Sequence, residues 1–294
     1  LGDVYKRQLH LCKEYNILIS TSLDGPAFIH NHNRGKTDSY NRVIEGINKV
    51  RNYLGADKVS ALMTTSELSI NHPKEIVDNY ILNGFNNIFL RPLNPYGLAL
   101  NSTNWNIYFD KFFEFYKQAL NYIIDINIKG KFFVEEFTAI LLRKILTPFT
   151  TGFVDLQSPA GIINSVVVYN YDGYVYASDE SRMLAEYHDY TFRLGHVTDN
   201  YENLFYGDKA QQIALIWGTE FIAGCADCAF QSYCGADPVR NHSTQNDMYG
   251  FRPTSSFCKK HKAIITYLFS LIQSEHDRVM PIFKQWINRN ENDF

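Results

Sequence analysis

Four of the five cysteines in this 294-residue chain fall between Cys225 and Cys258, and this crowding constrains the fold more than any other feature. Cys225 and Cys228 form a Cys-x2-Cys pair, Cys234 lies six residues further on, and Cys258 heads an apolar stretch. Thiolates gathered in one short segment suit soft-metal ligation, by zinc or by an iron–sulfur cluster. The Cys-x2-Cys spacing puts two sulfurs on one tight turn, within reach of one metal centre. Pro253, Ser255 and Ser256 before Cys258 signal a helix start, where a thiolate gains from the helix N-terminus. A disulfide-stapled loop or a set of unrelated buried thiols is the competing reading, although nothing else in the sequence reads as secreted.

The chain is long enough for one large domain or two ordinary ones. Its 45% hydrophobic and 20% charged residues are an ordinary globular balance, able to bury a sizeable core. A net charge of −3 gives no basic bias, so neither nucleic acid nor a membrane surface is expected as a partner. No apolar run approaches the ~18 residues of a membrane span. No signal peptide is visible, and a reducing cytoplasm is the expected location. Residues 1–8 lack Met and any apolar periodicity and resemble translated adaptor sequence. They are set aside, and the chain is expected to be a truncated piece.

Residues 17–22 form a β-type run that ends in the turn signal Asp24-Gly25-Pro26. A helical stripe of Val43, Ile44, Ile47, Val50 and Leu54 follows, then a strand over 59–63. Pro73 opens a helix with Ile76, Val77, Tyr80 and Ile81 on one face, closed by Gly84. A third strand spans 88–90. This alternation predicts a parallel β/α architecture, in which functional groups collect at the C-terminal ends of strands. Asp24, Thr64 and Arg91 fall at such ends. Helices are predicted over 105–126 and 134–146. Asn170-Tyr171-Asp172-Gly173 between two β-type runs is a hairpin signal. The expected organisation is a β/α part over 9–100, a helical bridge over 101–150, and a hairpin-plus-cysteine module over 151–294.

Two features together resemble the radical S-adenosylmethionine (SAM) enzymes that modify peptides. Ile19-Ser20-Thr21-Ser22-Leu23-Asp24-Gly25-Pro26, with Arg34 and Ser39-Tyr40 downstream, resembles the fourth strand of their barrel. The cysteine segment resembles their C-terminal SPASM domain, which carries auxiliary iron–sulfur clusters. Phe89-Leu90-Arg91-Pro92-Leu93-Asn94-Pro95-Tyr96-Gly97 and Arg252-Pro253-Thr254-Ser255-Ser256-Phe257-Cys258 resemble more specifically the B-type maturase of the His-Xaa-Ser peptide system. The resemblance implies an α/β fold: part of a radical SAM (β/α) barrel followed by an α+β SPASM-type domain. It implies an enzyme that uses SAM and a [4Fe–4S] cluster to make a radical, and a ribosomally made substrate rich in His-Xaa-Ser repeats. Sister maturation proteins of the same system are the implied partners. The Cys-x3-Cys-x2-Cys loop that holds the radical-generating cluster in the family is absent from this sequence, so the chain alone is expected to be inactive. A zinc-binding or non-catalytic peptide-recognition module is the rival reading.

Residue by residue, the resemblance places Ser22 against SAM and Arg42 near the SAM carboxylate. An exposed helix arginine competes for Arg42, and a strand-end hydrogen bond for Ser22. Arg91, at a strand end, suits a bidentate carboxylate contact. Asp24 is expected to cap its own turn. Asp179 matches an aspartate that takes a substrate proton in some relatives, against an ordinary solvated Asp179-Glu180 pair. Three cysteines of the two-cluster pattern are missing, with Ser158, Ser178 and Pro238 in their places. Cys225, Cys228, Cys234 and Cys258 remain as the set for one auxiliary [4Fe–4S] cluster. The space near Ser178 and Asp179 is then expected to be free for peptide. Cys12 fits no pattern and reads as a core residue.

Overall fold

The computed structural model describes residues 2–97, 99–100, 104–214 and 218–288. They divide into two compact units: Leu1–Leu93 with Asp110–Ala139 and Glu275–Phe294, and Asn94–Phe109 with Ile140–Ser274.

The first unit is parallel β/α. Helix α1 (Gly2–Glu14) covers most of the stretch set aside on sequence. Strand β1 (Ile19–Ser22) pairs in parallel with β2 (Val59–Leu62), Ile19 opposite Val59 and Ser22 opposite Leu62. Between them run α2 (Ala27–Arg34) and α3 (Ser39–Leu54). Gly35, at φ 65°, ends α2 in the left-handed conformation that glycine adopts without cost. Helix α3 buries Ile47 and Val50 from the predicted stripe. Pro73 opens α4 (Pro73–Leu82), whose Ile76, Val77 and Tyr80 are fully buried. Strand β3 (Asn87–Ile88) lies in parallel against β4 (Val134–Glu135), and Thr65 beyond β2 bridges in parallel to Pro92 beyond β3. Among the described residues, all strand pairs of this unit are therefore parallel.

Two sequence expectations fail here for one reason. The helix predicted over 134–146 starts only at Glu136, as α6 (Glu136–Leu146), because Val134 and Glu135 are β4. The third strand, expected to reach residue 90, pairs only through Ile88. Beyond it the Leu90 amide donates to the buried Glu135 carboxylate at 3.0 Å, so a side chain takes over from the ladder. The long aromatic helix α5 (Trp105–Ile128) buries Tyr108, Phe109, Phe112, Tyr116 and Leu120 of the apolar stripe that its helical spacing predicts, and leaves Phe113 of that stripe half-buried.

The second unit contains an antiparallel sheet of β5 (Val168–Tyr169), β6 (Tyr174–Tyr176) and β7 (Arg193–His196). The predicted hairpin joins β5 to β6. Gly173 takes φ 83°, and a Cβ there would collide with the His196 ring, so the turn needs glycine. Val175, Ala177, Leu184, Phe192 and Val239 lie in its core. Helices α7 (Asp179–Ala185), α8 (Tyr201–Tyr206), α9 (Asp208–Ala214), α10 (Pro238–Gln245) and α11 (Ser256–Ser274) belong to it, and α12 (His276–Ile287) to the first unit. Among the described residues no helix is long and apolar enough to cross a membrane.

Candidate metal centre

Backbone turns explain the cysteine spacing. The Cys225 amide donates to the Ile222 carbonyl, Cys228 to Cys225, Gln231 to Cys228 and Cys234 to Gln231, at 2.9, 3.0, 3.0 and 3.2 Å. Four turns of three residues thus follow one another. Residues three apart eclipse in such turns, so Cys225, Cys228, Gln231 and Cys234 can share one side. All four line a single cavity of about 290 Å³. The opposite wall comes from α11. Ser255 precedes the helix and its Oγ accepts the Cys258 amide at 3.3 Å, which makes it the cap the sequence foresaw. Cys258, Lys262 and Ile265 also line the cavity, spaced i, i+4, i+7 on one helix face. Arg252, Pro253 and Phe257 complete this side.

All five cysteines are free thiols, which excludes the disulfide staple in this structure. Burial pushes the Cys225 and Cys258 thiols up and that of Cys234 up to about 11. Arg252 pulls Cys225 the other way, and Lys262 and, less strongly, Arg252 do so at Cys258. Lys144 on α6 donates to the Cys234 carbonyl at 2.7 Å and also to that of Leu156, which pins the last turn. Among the described residues no three His, Cys, Asp or Glu side chains converge closely enough to hold a single metal ion. All four cysteines nevertheless line the one cavity. Arg252, Lys262 and Lys144 were not singled out as site residues on sequence. Only the i, i+4 relation of Lys262 to Cys258 could have pointed to one of them.

The remaining candidates lie apart from this cavity in the chain and differ in setting. Ser22 is exposed at the C-terminal end of β1. Arg42 is an exposed residue of α3, paired with Asp38 one turn earlier at 3.4 Å. Arg91 is half-buried, its carbonyl accepts the Thr65 amide at 2.8 Å, and its guanidinium has no partner among the described residues. Asp24 is fully buried, and the bonds its carboxylate accepts come from outside its own turn, not from the expected cap. Both its oxygens accept from Arg34, each at 2.8 Å, and Oδ1 also accepts the Thr64 amide at 3.1 Å. It ties the end of β1 to the end of β2. Asp179 is an exposed first-turn residue of α7 in an ion pair with Arg182 at 2.9 Å. Ser178 is buried and closed into a capping box with Ser181, so its side chain faces no free space for a peptide. Cys12 is half-buried on α1.

No family profile matches the chain, and no curated protein matches it. Solved structures do. A hexahistidine-tagged anSMEcpe with bound AdoMet aligns at a TM-score of 0.70 and 17% identity, covering 95% of this chain and 71% of that one. Native anSMEcpe with bound AdoMet aligns at 0.68 and 18%, and the same protein with AdoMet and the Cp18Cys peptide at 0.66 and 18%. Each of these two alignments covers 92% of this chain and 72% of the other. The likeness is one of fold: over most of its length this chain shares the mixed α/β fold of these structures.

Proposed function

We propose that the chain belongs to a radical SAM maturase acting on a ribosomally made peptide or protein, and that Cys225, Cys228, Cys234 and Cys258 hold one auxiliary [4Fe–4S] cluster. The observation that carries this reading is the single cavity lined by all four thiols. Zinc needs four donors about 2.3 Å from one point. A cubane cluster takes one thiolate per iron around a larger body. A cavity of about 290 Å³ lined by four cysteines has room for that larger body. Bound there, the cluster would supply electron transfer or hold the segment together, since full thiolate ligation leaves no open iron.

In the first unit the proposal assigns SAM contacts to Ser22, Arg42 and Arg91. Arg91 suits the role best, since its guanidinium is free among the described residues three positions beyond β3, next to the parallel Thr65–Pro92 bridge. Asp179 enters as the acceptor of a substrate proton; it is exposed and so open to a bound peptide. The fold shared with an enzyme solved with AdoMet and peptide supports this reading. The narrower His-Xaa-Ser substrate, and sister maturation proteins as partners, rest on the stretches 89–97 and 252–258.

The test is composition after anaerobic reconstitution. About four iron and four labile sulfide per chain are expected. Cys228→Ala should lose or degrade the cluster, and Cys12→Ala should leave it intact. One zinc per chain without labile sulfide would transfer the site to a structural binding module. About eight iron would reveal a second ligand set.

A further inference from the structure

We propose that Arg252 is a counter-charge built into the cysteine cavity, one that sets the redox balance of the anionic iron–sulfur centre held there. The proposal rests on the cluster reading above. Arg252 lines the same cavity as the four cysteines. Its place is fixed from two sides. Its Nη2 donates to the Tyr249 carbonyl, and its Cβ and Cγ lie over Gly224, the residue before Cys225. A Cβ added at Gly224 would sit 3.5 Å from Arg252 Cγ, in van der Waals contact. Its Nε is shut off from solvent and has no hydrogen-bond acceptor. A buried donor without an acceptor is costly and uncommon, and in a native site it calls for an explanation. Among the described residues no carboxylate pairs with this guanidinium; the acidic groups on which its charge acts are the thiols Cys225 and Cys258.

An anion in the cavity would answer both needs, giving the positive charge a partner and the N–H group an acceptor. Four thiolates around a cluster make such an anion. One-electron reduction, with the electron taken from an external reductant and no bond made or broken, adds one more negative charge. A fixed cation nearby therefore favours the reduced form and raises the potential. Net charge, hydrogen bonds to sulfur and solvent exposure are the levers that set such potentials. Arg252 works through the first two. Lys262 lines the same cavity and acts on the Cys258 thiol more strongly than Arg252 does, but it is exposed to solvent and salt and does not act on Cys225, whereas Arg252 acts on both thiols. Lys144 is committed to the Cys234 and Leu156 carbonyls.

The test is a spectroelectrochemical titration of the anaerobically reconstituted protein, with dithionite as reductant and iron and sulfide measured on each sample. Arg252→Gln should shift the redox equilibrium about tenfold towards the oxidised form, about 59 mV for a one-electron couple. Arg252→Lys, which keeps the charge, should stay near the parent protein, and Lys262→Gln should move it much less than Arg252→Gln. Unchanged potential in a fully loaded Arg252→Gln protein overturns the inference and leaves the cluster reading standing. An equal fall in Arg252→Lys also overturns it, because shape and not charge would then be responsible. If Arg252→Gln folds but binds no cluster, retention by Arg252→Lys supports the counter-charge and loss from both refutes it. A parent protein without iron overturns the cluster reading and this inference with it.

Discussion

Asp24→Asn tests whether the buried aspartate is a clamp or a cofactor contact. The side chain keeps its shape and loses its charge. In the parent protein Asp24 accepts two bonds of 2.8 Å from the Arg34 fork and one of 3.1 Å from the Thr64 amide. The Asn oxygen can keep Thr64, but its amide then points donor hydrogens at the guanidinium. Hydrogen bonds to charged groups contribute roughly 1.5–3 kcal/mol each. Arg34 is 36% exposed, so part of the pair's attraction is screened. The net loss should be about 2–4 kcal/mol, read as a lower urea midpoint with an unchanged slope. Arg34→Gln should cost a similar amount. The double variant should cost much less than the sum, because both changes break one interaction. A loss below about 0.5 kcal/mol, or strict additivity, would refute the clamp. Unchanged stability with weakened SAM binding would move Asp24 to the cofactor.

Glu135 is fully buried, and burial pushes its carboxyl up to about 7, although bonds from Thr138, Leu90 and Phe137 pull the other way. The folded protein therefore binds the proton more tightly than the unfolded chain. This contribution is complete below the ordinary value of 4.5 and is lost as pH rises to about 7. The parent protein should lose up to about 3 kcal/mol over that window, and Glu135→Gln should show a flatter profile; parallel profiles would contradict the assignment. Asp179→Asn in the complete enzyme should lower peptide modification by about 10²–10⁴-fold, as for a general base, with SAM cleavage retained. Unchanged modification would make Asp179 a surface partner of Arg182 and nothing more.

The sequence carried the parallel β/α alternation because each strand and helix has its own apolar period. It did not carry β4. Val134 and Glu135 run directly into an amphipathic helix, and a two-residue strand has no period to detect. Nor did it carry the partner of Asp24. The turn chemistry of Asp-Gly-Pro is local, whereas Thr64 is forty residues away and meets Asp24 only when β1 and β2 pair. Three of the thiols were legible from spacing, since successive three-residue turns bring 225, 228 and 234 to one side, whereas Cys258 comes from the start of α11. Arg252 was visible only as part of a motif. What it does depends on which side of a cavity its chain enters, and no spacing rule encodes that.

The three positions that lack cysteine give the physical ground for proposing one cluster and not two. A cysteine lost from a ligand set leaves behind backbone groups and space that the metal would have organised, and something must satisfy them. At the three positions where the resemblance would place cysteine, the residues present satisfy their surroundings locally. Ser178 caps α7, its Oγ accepting the Ser181 amide at 3.2 Å while the Ser181 hydroxyl takes the Ser178 amide at 2.9 Å. Ser158 Oγ accepts the Thr219 amide at 2.9 Å and donates to Glu220 at 2.7 Å. Pro238 opens α10, where its missing N–H costs nothing, and Asp237 before it accepts the Arg240 amide at 2.9 Å. Serine as a cap, serine as a bridge and proline at a first helical position are all residues that let a backbone fold without metal. The thiols of the remaining cavity have no such substitutes. Cys225, Cys228 and Cys258 donate no hydrogen bond through sulfur among the described residues, and Cys234 has only a contact of 3.7 Å to the Gly235 carbonyl. One half of the pattern is closed by ordinary protein chemistry, and the other half keeps its four thiols around a cavity.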